Sequence, residues 1–251
     1  ILEASVDEST RSKTRANHSA THLLHAALRD VLGKHVQQKG SLVNAEKLRF
    51  DFAHTAIVDS EELQRIEDLV NQQIRQNSAV GTQLLSYDEA VQGGATALFG
   101  EKYEDEVRVL SMGDGFSIEL CGGTHVDRTG DIGLFRIVSE AGIAAGIRRI
   151  EAVTGGAALA LIREDQQDLI SAAKTLKVSR RELVSKVQQL VTENKDLSRQ
   201  LEQIGQQLAA SKGTDLINQA VKVSGVSILA AQVEGDNKSM MQVLESLLAK
   251  I

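Results

Sequence analysis

The stretch Asn17–His35, NHSATHLLHAALRDVLGKH, decides the fold of the first half of the chain. Apolar residues recur in it at i, i+3, i+4 and i+7, which is the spacing of one face of an α-helix. These residues are Leu24, Ala27, Leu28 and Val31. We therefore predict a helix that is capped by Asn17 at its N-terminus and ends near Gly33.

Three of the six histidines of the chain fall within this predicted helix. His18 and His22 are four residues apart, so both imidazoles leave one face of the helix about one turn apart. This is how a helix presents two nitrogens to one zinc ion. His25 follows three residues after His22 and would either join the site or cap its rim. Surface and core histidines also show such spacing, so the pair alone is weak evidence for a metal.

The pentapeptide CGGTH, Cys121–His125, is the second feature that indicates a metal site. It places the only cysteine near a fourth histidine, and Gly122 and Gly123 let the backbone curl so that sulfur and imidazole can converge. A lone cysteine is otherwise commonly a small buried hydrophobe. Together the two motifs supply soft and borderline donors that suit Zn²⁺. The predicted zinc ligands are His18, His22, Cys121 and His125.

The two motifs leave the chemistry of such a zinc ion open. A helix-borne metalloprotease motif needs glutamate at its second position as general base, and this chain has Ser19 there. Four protein ligands make a closed structural site, whereas a catalytic site needs one position that water can take. The residues alone are compatible with both.

Outward from this helix, helical and strand patterns alternate up to about residue 154. Within 41–54, Leu48, Phe50 and Phe52 alternate with charged residues, which predicts a strand. Further strands are predicted at 83–86, 107–110, 116–120, 134–138 and 149–153, and helices at 59–77 and 88–99. This mixed order predicts an α+β fold with antiparallel sheet rather than a doubly wound one.

The pattern changes to long helix from about residue 156 to 212. SRRE, Ser179–Glu182, is a capping box that starts a second helix after a tight turn. That helix carries a strict heptad seam, in which Asn194 occupies an a position. The seam consists of Leu183, Val187, Leu190, Asn194, Leu197, Leu201, Ile204 and Leu208. We predict an antiparallel coiled-coil hairpin, although the seam also fits a dimeric coiled coil.

Beyond Gly213 the chain predicts a strand, a turn and a helix, which are too little to close a core. We therefore predict three parts, namely 1–154, the helical hairpin at 155–212 and a truncated small α/β unit at 213–251. Because the first residue is Ile rather than Met, we expect the chain to be a piece of a longer polypeptide.

The composition, 42% hydrophobic and 25% charged, is that of an ordinary globular protein. No apolar stretch is long enough to cross a bilayer, and the N-terminus is too polar for a signal peptide. One cysteine suits a reducing cytosol, so we expect a cytoplasmic protein. The net charge of −6 argues against non-specific binding of nucleic acid by the whole surface, but it is compatible with local basic patches.

Five blocks of the sequence belong together, namely HSATHLLHAAL, QKGSLV, LRFDF, ELCGGTHV and TGDIGLFRIVSEAGIAAGIRRIEAVTG. In this combination and order they resemble the alanyl-tRNA synthetase family of bacterial type, specifically its editing domain and the C-terminal region that follows. They cover most of residues 14–156. Threonyl-tRNA synthetase editing domains and free-standing alanyl-editing proteins share both metal motifs. The LRFDF strand and the helical region after it favour the alanyl enzyme.

The resemblance implies a function for the individual parts and residues. It makes 1–154 an editing domain with one zinc ion at the four predicted ligands and 213–251 the start of a domain for tRNA contact and dimerisation. Cys121 then belongs to the active site, and Thr21 and Gln38 match positions that line the editing pocket. Glu119 corresponds to an acidic position near the metal, although an outward strand residue fits equally. His35 and His54 match no ligand position and are expected at the surface.

The implied reaction is hydrolysis of the ester in seryl- and glycyl-tRNA(Ala). A pocket for alanine cannot exclude glycine, and it rejects serine poorly because one extra hydroxyl gives little discrimination. Zinc would activate the water, polarise the carbonyl or only orient the substrate. The family as a whole binds ATP, but this chain has no aminoacylation domain, so we do not expect it to charge tRNA. The alternatives are a free-standing trans-editing deacylase and a zinc-stabilised tRNA-binding or dimerisation module without activity.

The implied partner is the acceptor end of tRNA(Ala), with a homodimer through the C-terminal region and no membrane contact. Binding tRNA needs positive surface despite the negative net charge. Residues 174–212 contain eight Lys and Arg but only four Asp and Glu, so this segment carries a positive net charge. Further candidates for phosphate contact are Arg11, Lys13, Arg15, Arg148 and Arg149.

Overall fold

Helix α1, Glu8–Leu32, organises the first half of the chain in the computed structural model, which describes residues 4–96, 104–232 and 237–248. The helix starts well before the predicted cap, because the side chain of Asp7 accepts a hydrogen bond from the Thr10 backbone N–H at 2.7 Å. The predicted end is confirmed, since Gly33 follows the helix with φ 115° and its N–H donates to the Arg29 carbonyl.

Asn17 is therefore not a cap but a buried residue in the interior of α1, and that prediction was wrong. Its side-chain amide donates to the Asn44 carbonyl at 2.8 Å, and its Oδ1 accepts from the Thr154 hydroxyl at 2.7 Å. Asn17 therefore joins the helix to Asn44 and Thr154, two residues that are distant from it in sequence. A single-sequence pattern cannot distinguish a polar residue with such partners from one that caps a helix.

A four-stranded antiparallel sheet packs against α1 and against α2, Ser60–Gln76. Its strands are β1, Gln38–Val43, β2, Leu48–Ala53, β6, Phe135–Ala144, and β7, Ile147–Thr154, in the order β1-β2-β7-β6. The strand predicted over 41–54 is in fact two strands. The Asn44 side chain accepts the backbone N–H groups of Glu46 and Lys47 and so closes a turn between them.

The core of this part forms where the sheet meets the two helices. Phe50 and Phe52 point from β2 to the helices and are fully buried, as the alternation in LRFDF predicts. From α1, Leu24 and Leu28 reach the same core. The helix predicted at 59–77 is confirmed as α2, with a capping box at its start.

A second antiparallel sheet of three strands delivers the CGGTH segment to α1. Its strands are β3, Gly81–Ser86, β4, Glu106–Met112, and β5, Ser117–Leu120, in the order β3-β4-β5. Helix α3, Tyr87–Gln92, follows β3. The helix predicted at 88–99 ends there, because two glycines follow, and its residues 97–99 lie outside the described residues.

The last part of the chain is dominated by α4, Gly155–Thr175, and α5, Leu183–Ile217. The predicted capping box between them is confirmed, as the Ser179 hydroxyl and backbone N–H both donate to Glu182. Two short strands follow, β8, Val221–Val223, and β9, Val226–Ile228, where one was predicted, and then α6, Asn237–Leu248, which packs on α5. The predicted α+β class, with antiparallel sheets followed by long helices, is confirmed.

The chain divides into two compact units, residues 1–166 and 167–251. The three-part division at 154 and 212 stays a prediction. Within the described ranges, no helix combines the length and the apolar character that crossing a membrane requires.

Candidate metal centre

Helix α1 arranges His18, Thr21, His22 and His25 in one stripe, because residues three and four apart lie on the same helical face. His22 and His25 are buried, with 5% and 2% of their surface exposed, and His18 is half-buried. The helix contacts β5 along this stripe. The imidazoles therefore face the segment that follows β5, which begins at Cys121.

The structure brings the four predicted ligands together. One donor atom from each of His18, His22, Cys121 and His125 lies within 4.8 Å of the other three. The Cys121 Sγ is 3.6 Å from His18 Nε2 and 3.5 Å from His125 Nε2, and His125 Nε2 is 3.2 Å from His22 Nε2. Two sequence segments about a hundred residues apart thus form one cluster that could hold a metal ion.

Gly123 is the residue that allows this close approach. A Cβ at this position would lie 2.2 Å from the His18 Cε1 and 2.8 Å from its Nδ1, which no side chain can do without displacing the ring. At the neighbouring Gly122, a Cβ would meet nothing within 4 Å. The second glycine of CGGTH is therefore a steric requirement of the cluster, and the first is not.

Two arginines fix the backbone of the CGGTH segment. Arg15, one turn before His18 on α1, donates to the His125 carbonyl and forms an ion pair of 2.9 Å with Asp127. Arg108 on β4 donates to the Gly123 carbonyl, and the Cys121 N–H donates back to the Arg108 carbonyl. These charge-assisted hydrogen bonds hold the loop in its curled conformation.

Hydrogen bonds on the outer side of two rings determine which nitrogen faces the cluster. His18 Nδ1 lies 3.1 Å from the Thr124 carbonyl oxygen, and His22 Nδ1 lies 2.6 Å from Glu119 Oε2. Both partners are acceptors, so both Nδ1 atoms carry hydrogen, and a neutral ring then directs the Nε2 lone pair into the cluster. Lone pairs that converge in this way favour a cation between them.

The electrostatics of the cluster also favour a cation. Burial acts to raise the pKa of the Cys121 thiol, but hydrogen bonds from His125 and His18 outweigh it and lower that pKa to about 3. Burial acts to lower the pKa of His22, but hydrogen bonds to Cys121 and Glu119 outweigh it and raise that pKa to about 9. Cys121 is thus a thiolate at neutral pH, which is the form that binds metals. A positive charge at His22, whether proton or metal ion, is stabilised.

The other predicted site residues differ in their burial and in their partners. The Thr21 hydroxyl is buried and donates to the Asn17 carbonyl at 2.9 Å, so only its lone pairs are free to accept. Gln38 is half-buried at the first position of β1, where it pairs with Phe52. Glu119 is not an outward strand residue, since only 4% of it is exposed and both its oxygens contact histidines of α1.

Three of the five predicted phosphate contacts are already engaged within the protein. Arg15 is bound to the CGGTH segment, Arg148 forms a two-pronged ion pair with Glu140, and Arg149 forms another with Asp51. Arg11 and Lys13 are exposed near the start of α1. His35 is exposed as expected, whereas His54 is half-buried, and a ring nitrogen of each lies 2.9 Å from the other.

Sequence reasoning missed the contact between Glu119 and His25 and the role of the two arginines. For Glu119 a signal existed, because it lies on β5 only two residues before Cys121, which follows directly after the end of that strand. For Arg15 and Arg108 there was none, since a basic residue that binds a backbone carbonyl looks in sequence like any solvated one.

Comparison with known proteins shows that the sequence of this chain is similar to tRNA enzymes. Residues 107–151, which include Cys121 and His125, match the family described as threonyl and alanyl tRNA synthetase second additional domain. The chain is 56% identical over 247 residues to an alanine–tRNA ligase of Saccharophagus degradans. This alignment covers 98% of the chain and 28% of that protein.

Two further relatives agree over the whole chain. An alanine–tRNA ligase of Pseudomonas fluorescens is 51% identical and one of Pseudoalteromonas translucida is 50% identical, each over 251 residues. The alignment covers 29% of either protein. The chain thus spans less than a third of the length of the relatives that it matches.

Proposed function

Because this chain is homologous over its whole length to one segment of the alanine–tRNA ligases, we propose that it edits wrongly charged tRNA(Ala) by ester hydrolysis. The substrates are seryl- and glycyl-tRNA(Ala), and water replaces the ribose hydroxyl at the carbonyl carbon, releasing the amino acid and the free tRNA. The observation that carries the proposal is the convergence of four donor atoms within 4.8 Å, two of them in the segment matched to the synthetase domain.

The donor types of the cluster and three of its six donor–donor distances fit one zinc ion. Tetrahedral zinc with Zn–N of about 2.0–2.1 Å and Zn–S of about 2.3 Å separates two nitrogens by about 3.3 Å and nitrogen from sulfur by about 3.6 Å. The cluster has 3.2 Å between two histidine nitrogens and 3.5 and 3.6 Å from sulfur to nitrogen. The Nδ1 atoms of His18 and His22 are held by acceptors, which is the usual support of zinc-binding histidines.

The four residues that would hold zinc are His18, His22, Cys121 and His125. Zinc bound there would supply Lewis-acid stabilisation of the ester or lower the pKa of a water molecule. His18 and Cys121 are half-buried, whereas His22 and His125 are buried, so the cluster is open to a substrate on the His18 and Cys121 side. The chain's own part is to hold this geometry rigidly and to position the ester against it.

Thr21 is the residue that would distinguish serine from alanine. Its hydroxyl hydrogen is used by the Asn17 carbonyl, so its oxygen can only accept a further hydrogen bond. The serine side chain offers a hydroxyl donor and alanine offers none. A site that hydrogen-bonds a substrate hydroxyl discriminates strongly against the analogue that lacks it.

The test is hydrolysis of seryl-tRNA(Ala) by the purified chain, with alanyl-tRNA(Ala) as the control substrate. We expect rapid release of serine, loss of this activity on zinc removal, and loss in Cys121→Ala with secondary structure retained. Thr21→Val should lower hydrolysis of the seryl ester towards that of the alanyl ester, while Thr21→Ser should keep the difference. A folded, zinc-loaded chain that hydrolyses neither the seryl nor the alanyl ester of intact tRNA(Ala) would contradict the proposal.

A further inference from the structure

Glu119 links two histidines of α1, of which only one belongs to the metal cluster. Its Oε2 lies 2.6 Å from His22 Nδ1, and its Oε1 lies 2.8 Å from His25 Nδ1. All three side chains are at least nine-tenths buried. The carboxylate therefore accepts two hydrogen bonds, one from the metal ligand His22 and one from His25, which has no role in the proposed mechanism.

His25 acts in this link as a hydrogen-bond donor. A carboxylate accepts and does not donate, so the hydrogen of the neutral ring lies on Nδ1. Its Nε2 is buried and has no hydrogen-bond partner in the described part of the chain. The ring packs beside Phe50, with 5.3 Å between the ring centroids. Glu119 is thus its polar partner, and the apolar core holds the rest of the ring.

The geometry excludes His25 as a fifth ligand. Its Nδ1 is engaged by Glu119, and its donor atoms are not among those that lie within 4.8 Å of one another in the cluster. A carboxylate with only one partner could rotate about its last bond and release His22. With a donor on each oxygen, its plane is fixed, and so is the direction in which His22 Nε2 points.

We propose that His25 is a positioning residue that fixes the metal ligand His22 through Glu119. This inference rests on the proposed function only in taking zinc as the ion that the cluster binds. The chain His25–Glu119–His22 extends the support of the metal site one residue beyond the carboxylate. A histidine fits this role because its flat ring fills apolar space while a single nitrogen donates.

The experiment measures zinc affinity of the whole chain by competition with a chromophoric chelator. His25→Leu removes the donor, and we expect it to weaken zinc binding by about 10- to 100-fold, the usual loss when an outer-sphere partner is removed. His25→Asn offers an amide N–H near the position of Nδ1 and should bind within a few-fold of the parent. His35→Leu, at an exposed histidine that contacts His54, is the matched control and should leave affinity unchanged.

A second measurement separates positioning from a general loss of stability. In protein loaded with Co²⁺, the visible absorption reports the ligand geometry, so it should change in His25→Leu and remain parent-like in His25→Asn. In a double-mutant cycle with Glu119→Gln, the losses should be far from additive, because both changes break one link. Should His25→Leu not fold, His25→Phe, which keeps a ring and lacks the donor, replaces it.

The outcomes distinguish this inference from the proposed function. A parent protein that binds no zinc overturns the proposed metal site. A parent that binds zinc, together with a folded His25→Leu or His25→Phe of equal affinity, overturns the inference alone. Additive losses in the cycle, or a His25→Asn variant as weak as His25→Leu, overturn it as well.

Discussion

Helices α1 and α5 have similar apolar periodicity in sequence, but the structure buries the apolar face of α1 and leaves that of α5 exposed. In α1 most of the apolar face is buried against the four-stranded sheet and α2, as at Leu24 and Leu28. In α5 the heptad residues are exposed over most of the helix, as at Leu201, which is 70% exposed, and Ile204. A periodic pattern thus shows which face of a helix can bury apolar area, and only a partner element decides whether it does.

The same contrast holds for the polar residues of the two helices. In α1, Asn17, Thr21 and the three histidines each make a defined contact, most of them with segments far away in sequence. In α5, Asn194 at the heptad a position is exposed, and a side-chain hydrogen bond such as that between Gln189 and Glu193 joins residues of one exposed helical face. The predicted coiled coil and the predicted homodimer remain predictions.

The largest effect is expected at the steric centre of the first region. Gly123→Ala places a Cβ against the His18 ring and should abolish zinc binding or weaken it by at least the roughly 10- to 100-fold seen when ligand support is disturbed. Gly122→Ala is the matched control, because its Cβ meets open space. Chelator competition checks both. Equal losses in the two variants would show that the glycines act through loop flexibility instead.

Truncation of one leucine in each helix tests the comparison directly. Leu24→Ala in α1 should lower the free energy of unfolding by about 2–5 kcal/mol, since it opens a cavity in the core. Leu201→Ala in α5 should change it by no more than about 0.5 kcal/mol, because the side chain is exposed. Urea unfolding measures both. A large loss at Leu201 would mean that another helix or a second copy covers the seam.

Arg15 and Arg11, one turn apart on α1, separate a structural from an electrostatic role. Arg15→Ala removes a charge-assisted hydrogen bond to the His125 carbonyl and should cost about 1.5–3 kcal/mol of stability, with weaker zinc binding. Arg11→Ala should leave stability unchanged. If Arg11 contacts phosphate, tRNA affinity falls and its logarithmic salt slope decreases by about 1. An Arg15→Ala protein of parent stability with reduced tRNA affinity would reverse these assignments.

The smallest effect is a pH dependence of the start of α5. Hydrogen bonds from Ser179 lower the pKa of Glu182 below its usual value of 4.5. The stability that this capping box contributes is therefore present above the unfolded pKa and is lost as the pH falls through the lower folded pKa. Far-UV circular dichroism below pH 5 should show a small loss of helix in the parent. In Glu182→Gln, which can still cap but does not titrate, that part of the loss should be absent.

Sequence by itself determined the features that depend on neighbours along the chain. The period of the apolar residues identified α1, α2, α4 and α5, and alternation identified β2. Capping residues located the start of α5 and the end of α1. The four candidate metal ligands also followed from residue type and spacing. These are local properties, because helical periodicity, strand alternation and capping depend on residues only a few positions apart.

Only the tertiary structure decided how distant residues use their polar groups. Asn17 became a buried tether instead of a cap, Arg15 a support of the CGGTH loop, and His25 a partner of Glu119. An asparagine can cap a helix or bind distant backbone, an arginine can bind phosphate or a carbonyl, and a histidine can bind a metal or a carboxylate. The neighbouring residues in the sequence do not show which of these partners the side chain has. The choice is made by which atoms the fold brings within hydrogen-bond distance, since a buried polar group must find a partner.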